Sequence, residues 1–413
     1  MARTLGGQRV IARDLDRART ERFDLVIVGG GLQGAALLLE AARRGHKTAL
    51  VERDDFGGAT SWNSLRLAHG GIRDLQRFDI GRCRRLAAAQ RDWLRDFPDA
   101  VRPISCVLPL DGRRGRRPWV VGTGLLAHAL LTRGVRDPRS IPAGSLADHP
   151  RHGRVARWHE GLMTGPRLTI EMLRWACSLG AVALHRTEVV GKLSNDAGVE
   201  ILDRHGGETF GVRARQVIVA AGAATETVIE RLTGVAPRRP NAHPSLAFNL
   251  LLDRRPEADE VLVRPGVDGT RLFVPVGSQT LVGTFHAPIE DAETSPGTVS
   301  DALVDAALES LGIGRTDVDR VLSGVLPARR PGTTRLVRRP IVRAHRFGLT
   351  SVVAVKWTSV RQVASRVLDR CLGAWPGRLD RSTRPEPAVV PDLDTLDTRG
   401  HESLSALRRL IET

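Results

Sequence analysis

Tyrosine is absent from the 413 residues, and lysine occurs only at Lys47, Lys192 and Lys356. The four cysteines, Cys83, Cys106, Cys177 and Cys371, form no C-x-x-C pair. That argues against a zinc site or a disulfide framework and for reduced thiols, so no metal is expected. No apolar run approaches the roughly 20 residues that a membrane-spanning helix needs. The first residues carry arginines without an apolar segment, so no secretory signal is expected and the cytoplasm is the expected location. Basic stretches interleaved with aromatics, the footprint of nucleic-acid binding, are also missing.

What the chain has in excess is arginine, and the net charge is +16. A base composition that favours arginine codons accounts for most of it. The functional alternative is attraction to an anionic membrane or an acidic substrate. Arg113, Arg114, Arg116 and Arg117 precede Trp119 and the apolar run 120–131. A peripheral contact with the inner face of the cell membrane would form there. The hydrophobic fraction of 41% is that of a globular protein with a sizeable core.

Residues 1–22 are polar and unpatterned and read as a mobile leader. An apolar strand at 23–28, a glycine turn at 29–34, an Ala- and Leu-rich helix to Arg44 and a strand at 48–52 follow. Residues 78–97 have helical spacing. Residues 138–160, rich in Pro, His and Arg, read as loop, and a helix follows Pro166. Strands are expected at 182–190, 199–203 and 209–220, the last ending in Ala220-Ala221-Gly222. The texture changes near Pro237, where short strands are expected at 245–253, 260–264, 271–276 and 279–285, then a helix at 298–312. A strand from Leu349 leads into a helix from Thr358 to Leu372, and a short helix is expected at 402–411. The fold class is therefore α/β, a Rossmann-type dinucleotide domain (three-layer ββα sandwich) with an inserted strand-rich substrate domain. The expected division is 1–22 leader, 23–235 first part of the nucleotide domain, 236–322 substrate domain, 323–375 return, and 376–413 tail.

Gly29, Gly31 and Gly34 form G-x-G-x-x-G between an apolar strand and a helix. The first glycine permits the tight turn, the second lets the backbone approach a pyrophosphate, and the third lets helix and strand pack closely. The helix N-terminus offers unpaired N–H groups and a positive dipole end to phosphates. Glu52 ends the second strand, where a carboxylate binds ribose hydroxyls and repels a 2′-phosphate. The glycines alone do not choose between FAD and NAD. The more than 300 residues that follow, and the late strand–helix, suit a flavoprotein closing around an extended cofactor.

The run from Ala59-Thr60-Ser61-Trp62-Asn63-Ser64 to His69-Gly70-Gly71-Ile72-Arg73 resembles the flavin loop of FAD-dependent glycerol-3-phosphate dehydrogenases, within the D-amino-acid-oxidase-like (DAO) flavoproteins. Val355-Lys356-Trp357-Thr358-Ser359 with Arg361 resembles that family's G-G-K-L-T-T-Y-R segment. Ser323-Gly324-Val325-Leu326-Pro327 resembles its S-G-V-R-P segment. The resemblance implies FAD held by Gly29, Gly31, Gly34 and Glu52, with Thr60, Ser61 and Ser64 near the pyrophosphate and flavin. It places His69 and Gly70 beside the isoalloxazine, and Lys356 and Thr358 near flavin and substrate. Gly222, at the mid-chain turn, joins the cofactor-binding set.

The departures concern the substrate. Leu326 replaces an arginine that holds the substrate phosphate. Asp74 replaces a tyrosine, Phe285-His286 replaces T-D, and Ala354 and Val355 replace two glycines. No counterpart of the family's long helical C-terminal domain is expected.

Dehydrogenation next to a hydroxyl or amine needs a hydride acceptor, a base and orienting cations. His69 is the leading base or else a flavin contact; a structural loop histidine is the plainer alternative. Arg73 is a phosphate or carboxylate clamp, or a salt bridge within the loop. Lys356 would stabilise the reduced flavin or hold substrate, or be a solvated lysine at a helix start. His243 and His286 are candidate substrate contacts from the strand block. Arg271 and Arg329 are candidates to stand in for the arginine that Leu326 replaces. Three functions follow. The first is oxidation of glycerol 3-phosphate or a similar polyol phosphate. The second is a DAO-like reaction on an amine, amino acid or hydroxy acid. The third is a non-catalytic flavin-binding role. The substrate is a small molecule, and the electron acceptor, quinone or oxygen, is open.

Overall fold

The computed structural model describes residues 11–112, 116–137, 141–193, 197–236, 240–266, 269–289 and 298–374, with short strands at Thr4–Leu5 and Gln8–Arg9. Arg113, Arg114, the boundary at Pro237 and the tail helix at 402–411 lie outside these residues.

The strand Arg22–Val28 is apolar and buried along its second half, as a strand covered on both faces must be. It runs parallel to Thr48–Val51 on one side and to Thr209–Val219 on the other. Val182–Leu184 and Leu349–Val353 extend the parallel part. Thr187–Lys192 and Gly198–Asp203 add antiparallel strands, and Ile341–Ala344 completes eight. Leu32–Ala42 is helical because alanine and leucine lose little side-chain freedom there. It packs with helices Gly165–Ser178 and Val360–Leu372 in one core layer, and a second cluster lines the other face of the sheet. The late helix is pinned by Arg361, which bonds Glu40 and Asp96 at 2.7 Å each and lies over the Trp93 ring.

The second sheet has nine strands. Val318–Ala328, His243–Leu252, Gln279–Pro288, Gly269–Val276 and Val261–Gly266 are successive antiparallel neighbours. Val101–Pro109 joins in parallel, then Gly153–Met163, which also pairs with Leu67–Ala68 and Ser145–His149. Helix Asp301–Leu311 covers one face over Phe248, Leu250 and Phe285.

The structure departs from the sequence reading in three places. Residues 145–149 and 153–163 are strands, not loop. Gly153–Met163 pairs along its length with Val101–Pro109, and that pairing overrides a Pro-, His- and Arg-rich composition. From Ile11 onward the expected leader is packed: Ile11 and Ala18 are fully buried, Asp14 caps helix Leu15–Thr20, and Arg13 bonds Asp203. The second sheet also reaches beyond 236–322. It takes in the earlier strands at 101–109 and 145–163 and continues to Ala328, because its edge pairs come from distant segments. The apolar run 120–131 lies within helix Pro118–Thr132. Among the described residues no helix is long and apolar enough to cross a membrane.

Candidate active site

The glycine turn is dictated by contact. Gly29 has φ +110°, and a Cβ there would lie 2.7 Å from the Ala220 carbonyl oxygen. A Cβ at Gly34 would overlap the Gly29 carbonyl oxygen outright. Strand, helix and the Ala220 turn therefore close together only with glycine at both positions. Gly31 caps helix Leu32–Ala42 without a side-chain bond, which leaves the helix N-terminus to a phosphate. Ser61 stands at this end, its Oγ accepting from Leu32 N at 3.0 Å. The Glu52 carboxylate accepts from Gly30 N at 2.6 Å and Asp54 N at 2.8 Å, which aims it across the turn. Burial pushes its pKa up, against the two N–H donors. Gly222 has φ +57° and opens the turn after Thr209–Val219. These residues fit a dinucleotide: a helix end whose N-cap is a glycine and whose one side-chain acceptor is the Ser61 hydroxyl, a side-chain-free approach and a fixed carboxylate.

The following loop joins the two sheets. Thr60, expected near the pyrophosphate, bonds the Val325 backbone, donating to its carbonyl and accepting from its N–H at 3.2 Å each. Gly324 makes room, since a Cβ there would lie 2.8 Å from Thr60 Cγ2. Asn63 donates to the Ser323 carbonyl, and Asn249 donates to the Asn63 carbonyl at 2.8 Å. The Ser64 hydroxyl accepts from Arg66 N at 3.4 Å.

His69 and Gly70 are held from four sides. Thr358 Oγ1 accepts the His69 N–H at 2.8 Å. Glu160 accepts the Gly70 N–H at 2.6 Å, and the His128 ring lies 3.0 Å from the Gly70 carbonyl. Gln90 donates to the Ala68 carbonyl and to Glu160. Glu160 also receives Trp158 Nε1 at 3.1 Å and lies 3.8 Å from His69 Nδ1. Glu160 is buried, whereas the His69 side chain is about one-third exposed (36%). Glu160 escapes sequence reasoning because its stretch reads as loop. The one signal for it is the alternation of Trp158, Glu160 and Leu162 on one strand face.

Lys356 sits where Leu349–Val353 turns toward the late helix, and it caps the short turn Trp357–Ser359. Its Nζ lies 3.4 Å from Asp74 Oδ2, and Arg82 Nε lies 3.2 Å from Asp74 Oδ1. Burial depresses the Lys356 pKa; Asp74 opposes that, and Arg82 and Arg73 add to it. Arg73 itself is exposed.

Residues directly opposite in an antiparallel pair share a face. Leu326 is opposite Ser245, and Ala247 lies between Gly324 and His286. The Gly324–Thr60 and Asn249–Asn63 contacts mark this as the face toward the loop. Burial and Arg271 lower the His286 pKa. The Arg271 guanidinium lies 4.5 Å over the Phe285 ring, which stacks on Phe248 under helix Asp301–Leu311. His243 is opposite Ala328 at the strand end, and Arg329, next along, is exposed. The structure therefore joins His69, Gly70, Thr358, Lys356 and the loop, with Leu326 and His286 across from it. Arg271 acts on His286 as well as lying over Phe285, and Arg329 is exposed past the strand end. A cavity of about 400 Å³ between His149, Arg254 and Ile313 is lined by none of the loop residues.

The model of the family of FAD-dependent oxidoreductases called DAO matches residues 24–356. The chain belongs to this family and is an FAD-dependent oxidoreductase. Among curated proteins it is similar to glycerol-3-phosphate dehydrogenase of Mycobacterium leprae, 26% identical over 94% of this chain and 68% of that protein. Aerobic glycerol-3-phosphate dehydrogenase of Staphylococcus aureus is 27% identical over 85% of this chain and 67% of that protein. Among solved structures, glycerol-3-phosphate dehydrogenase from Bacillus halodurans complexed with FAD superposes with a TM-score of 0.64 at 21% identity, covering 89% of this chain and 69% of the other. Glycine oxidase from Geobacillus kaustophilus gives 0.56 at 20%, covering 88% and 98%.

Proposed function

We propose that the enzyme oxidises a small polar alcohol bearing an anionic group, glycerol 3-phosphate or a similar polyol phosphate. The observation that carries this reading is the meeting of His69 with Thr358 and of Lys356 with Asp74 beside the nucleotide turn. Gly29, Gly31, Gly34, Ser61 and Glu52 hold the cofactor, with Ser64, Gly70 and Gly222 lining its path. Bound FAD supplies a hydride acceptor at flavin N5. His69 takes the hydroxyl proton; with Nδ1 toward Glu160, its Nε2 is left for the substrate. Lys356 places positive charge at the flavin or the substrate anion, and Arg73 orients that anion. The names of the curated relatives support this substrate class. The test is anaerobic bleaching of the flavin by millimolar glycerol 3-phosphate. A flavin that stays oxidised with this substrate but bleaches with another sinks the assignment.

A second reading, oxidation of an amine, amino acid or hydroxy acid, is favoured by Leu326, whose apolar side chain, in register with Ser245, offers no charge to a phosphate dianion. A panel of such substrates, followed by flavin reduction, separates the two.

The proposal includes a peripheral contact with an anionic membrane through helix Pro118–Thr132. Trp119, Leu126 and Leu130 form one exposed apolar stripe, while Leu125, His128 and Thr132 face inward. Arg117 and Arg133 flank the helix. Such a contact would bring the enzyme to a membrane quinone, one of the two acceptors, quinone or oxygen, that the resemblance allows.

A further inference from the structure

We propose that Asp74 is the positioning residue for Lys356: its carboxylate fixes the ammonium and, shared with Arg82, sets how much positive charge faces the flavin. The proposal rests on the reading of Lys356 as a cation at the flavin.

Asp74 is rigidly placed. It belongs to the short helix Ile72–Leu75, entered through Gly71 at φ +87°. A Cβ on Gly71 would lie 2.9 Å from the Cys83 backbone, so this helix is pressed against Ile80–Asp96. The Asp74 carbonyl accepts from Arg77 N and Asp79 N at 3.1 Å each. Its side chain is 7% exposed, while that of Lys356 is 35% exposed, so the pair is half-buried and partly screened by water. Each carboxylate oxygen faces one cation: Oδ1 faces Arg82 and Oδ2 faces Lys356. Arg82 is tied a second time, through Nη1 to the Arg338 carbonyl at 2.8 Å, which holds it on the Oδ1 side.

The chemistry gives a reason for a lysine here in a chain that has only two others. Arginine stays charged at any working pH, whereas a buried lysine can lose its proton. The charged groups acting on Lys356 are Asp74, Arg82 and Arg73. Only Asp74 favours the ammonium, and burial and both arginines disfavour it. The number of charges at the flavin therefore depends on Asp74. A tyrosine, which the family resemblance would put at 74, could bond the ammonium but could not balance its charge.

The test is the midpoint potential of the bound flavin against pH, followed by spectroelectrochemistry on the FAD-loaded protein. Deprotonation of Lys356 gives an alkaline inflection. In Asp74→Asn the inflection moves down by roughly one pH unit, because the opposing charge is lost. In Asp74→Glu it returns toward the parent position. In Arg82→Gln it moves up, since a competing cation is gone. In Lys356→Gln it vanishes, and adding Asp74→Asn changes nothing further. An inflection at the same pH in the parent, Asp74→Asn and Arg82→Gln, but lost in Lys356→Gln, overturns the role of Asp74 alone. An inflection that survives Lys356→Gln removes the premise, and the proposal with it. If Asp74→Asn does not load FAD, the upward shift in Arg82→Gln decides.

Discussion

The Glu160 carboxylate accepts the Gly70 N–H at 2.6 Å, fastening the residue after the candidate base to a buried charge on the second sheet. Gln90 and Trp158 supply two more donors to the same carboxylate. Glu160→Ala strands three N–H groups, so a loss of about 3 kcal/mol is expected. Glu160→Gln keeps an acceptor oxygen and is expected to lose less. Chemical denaturation of the FAD-loaded proteins checks this, and a Glu160→Ala variant within about 0.5 kcal/mol of the parent would count against the clamp.

The glycine turn orders two substitutions. Gly34→Ala places a methyl on the Gly29 carbonyl and is expected to abolish FAD binding. At Gly31 the added Cβ meets only the Ser61 hydroxyl, at 3.2 Å, so Gly31→Ala is expected to weaken FAD by roughly tenfold. Titration of apoprotein with FAD measures both. Equal affinities in the two variants would refute the geometric account.

Glu52 gives a pH dependence. Its folded pKa is raised by burial, so the fold binds a proton that the unfolded chain releases. Stability from this group is therefore present below the ordinary carboxylate pKa and is lost as pH rises through the raised value. Glu52→Gln is expected to flatten that part of the profile in the cofactor-free protein. Urea unfolding across mildly acidic pH reads the difference, and parallel profiles would contradict it.

Trp119, Leu126 and Leu130 share one stripe, so replacing all three by serine is expected to cut sedimentation with anionic liposomes by about tenfold or more. FAD content should not change, since the stripe faces away from the buried His128 side. Equal binding by parent and variant would leave this helix without a lipid role.

Leu326 lies on the loop-facing side of its strand, in register with Ser245. Leu326→Arg is expected to lower KM for glycerol 3-phosphate by about tenfold, as a guanidinium reaches the phosphate. Steady-state kinetics decide, and an unchanged KM would show that the phosphate end lies elsewhere.

The parts legible in the sequence are local. Gly29 and Gly34 are required by one turn, and Glu52 follows one strand later and bonds back to Gly30, so the turn and its carboxylate are legible from neighbouring residues. Thr60 illustrates the limit. The resemblance implies a place for it near the pyrophosphate, and nothing in the sequence signals that its hydroxyl also joins the Val325 backbone on the second sheet. Glu160, His128 and Asn249 reach the loop from three separate segments, and only folding brings those segments to it. Strand Gly153–Met163 is hidden for the same reason, since its partner and not its composition makes it a strand. Asp74 is visible as a departure, but its pairing with Lys356, 282 positions away, is not.

The loop that links the sheets is tied both to its near neighbours and to segments hundreds of residues away. Leu32 and Ser61, at the phosphate end, are 29 positions apart. Thr60 and Val325 are 265 apart, and His69 and Thr358 are 289 apart. Long-range contacts of that kind close late and at a high cost in chain entropy. The Leu32–Ser61 contact is thus local, but the glycine turn as a whole also waits for Ala220, and the His69 end waits for Thr358. Both ends of the site are therefore completed only when segments distant in the chain have packed onto the glycine turn and the loop.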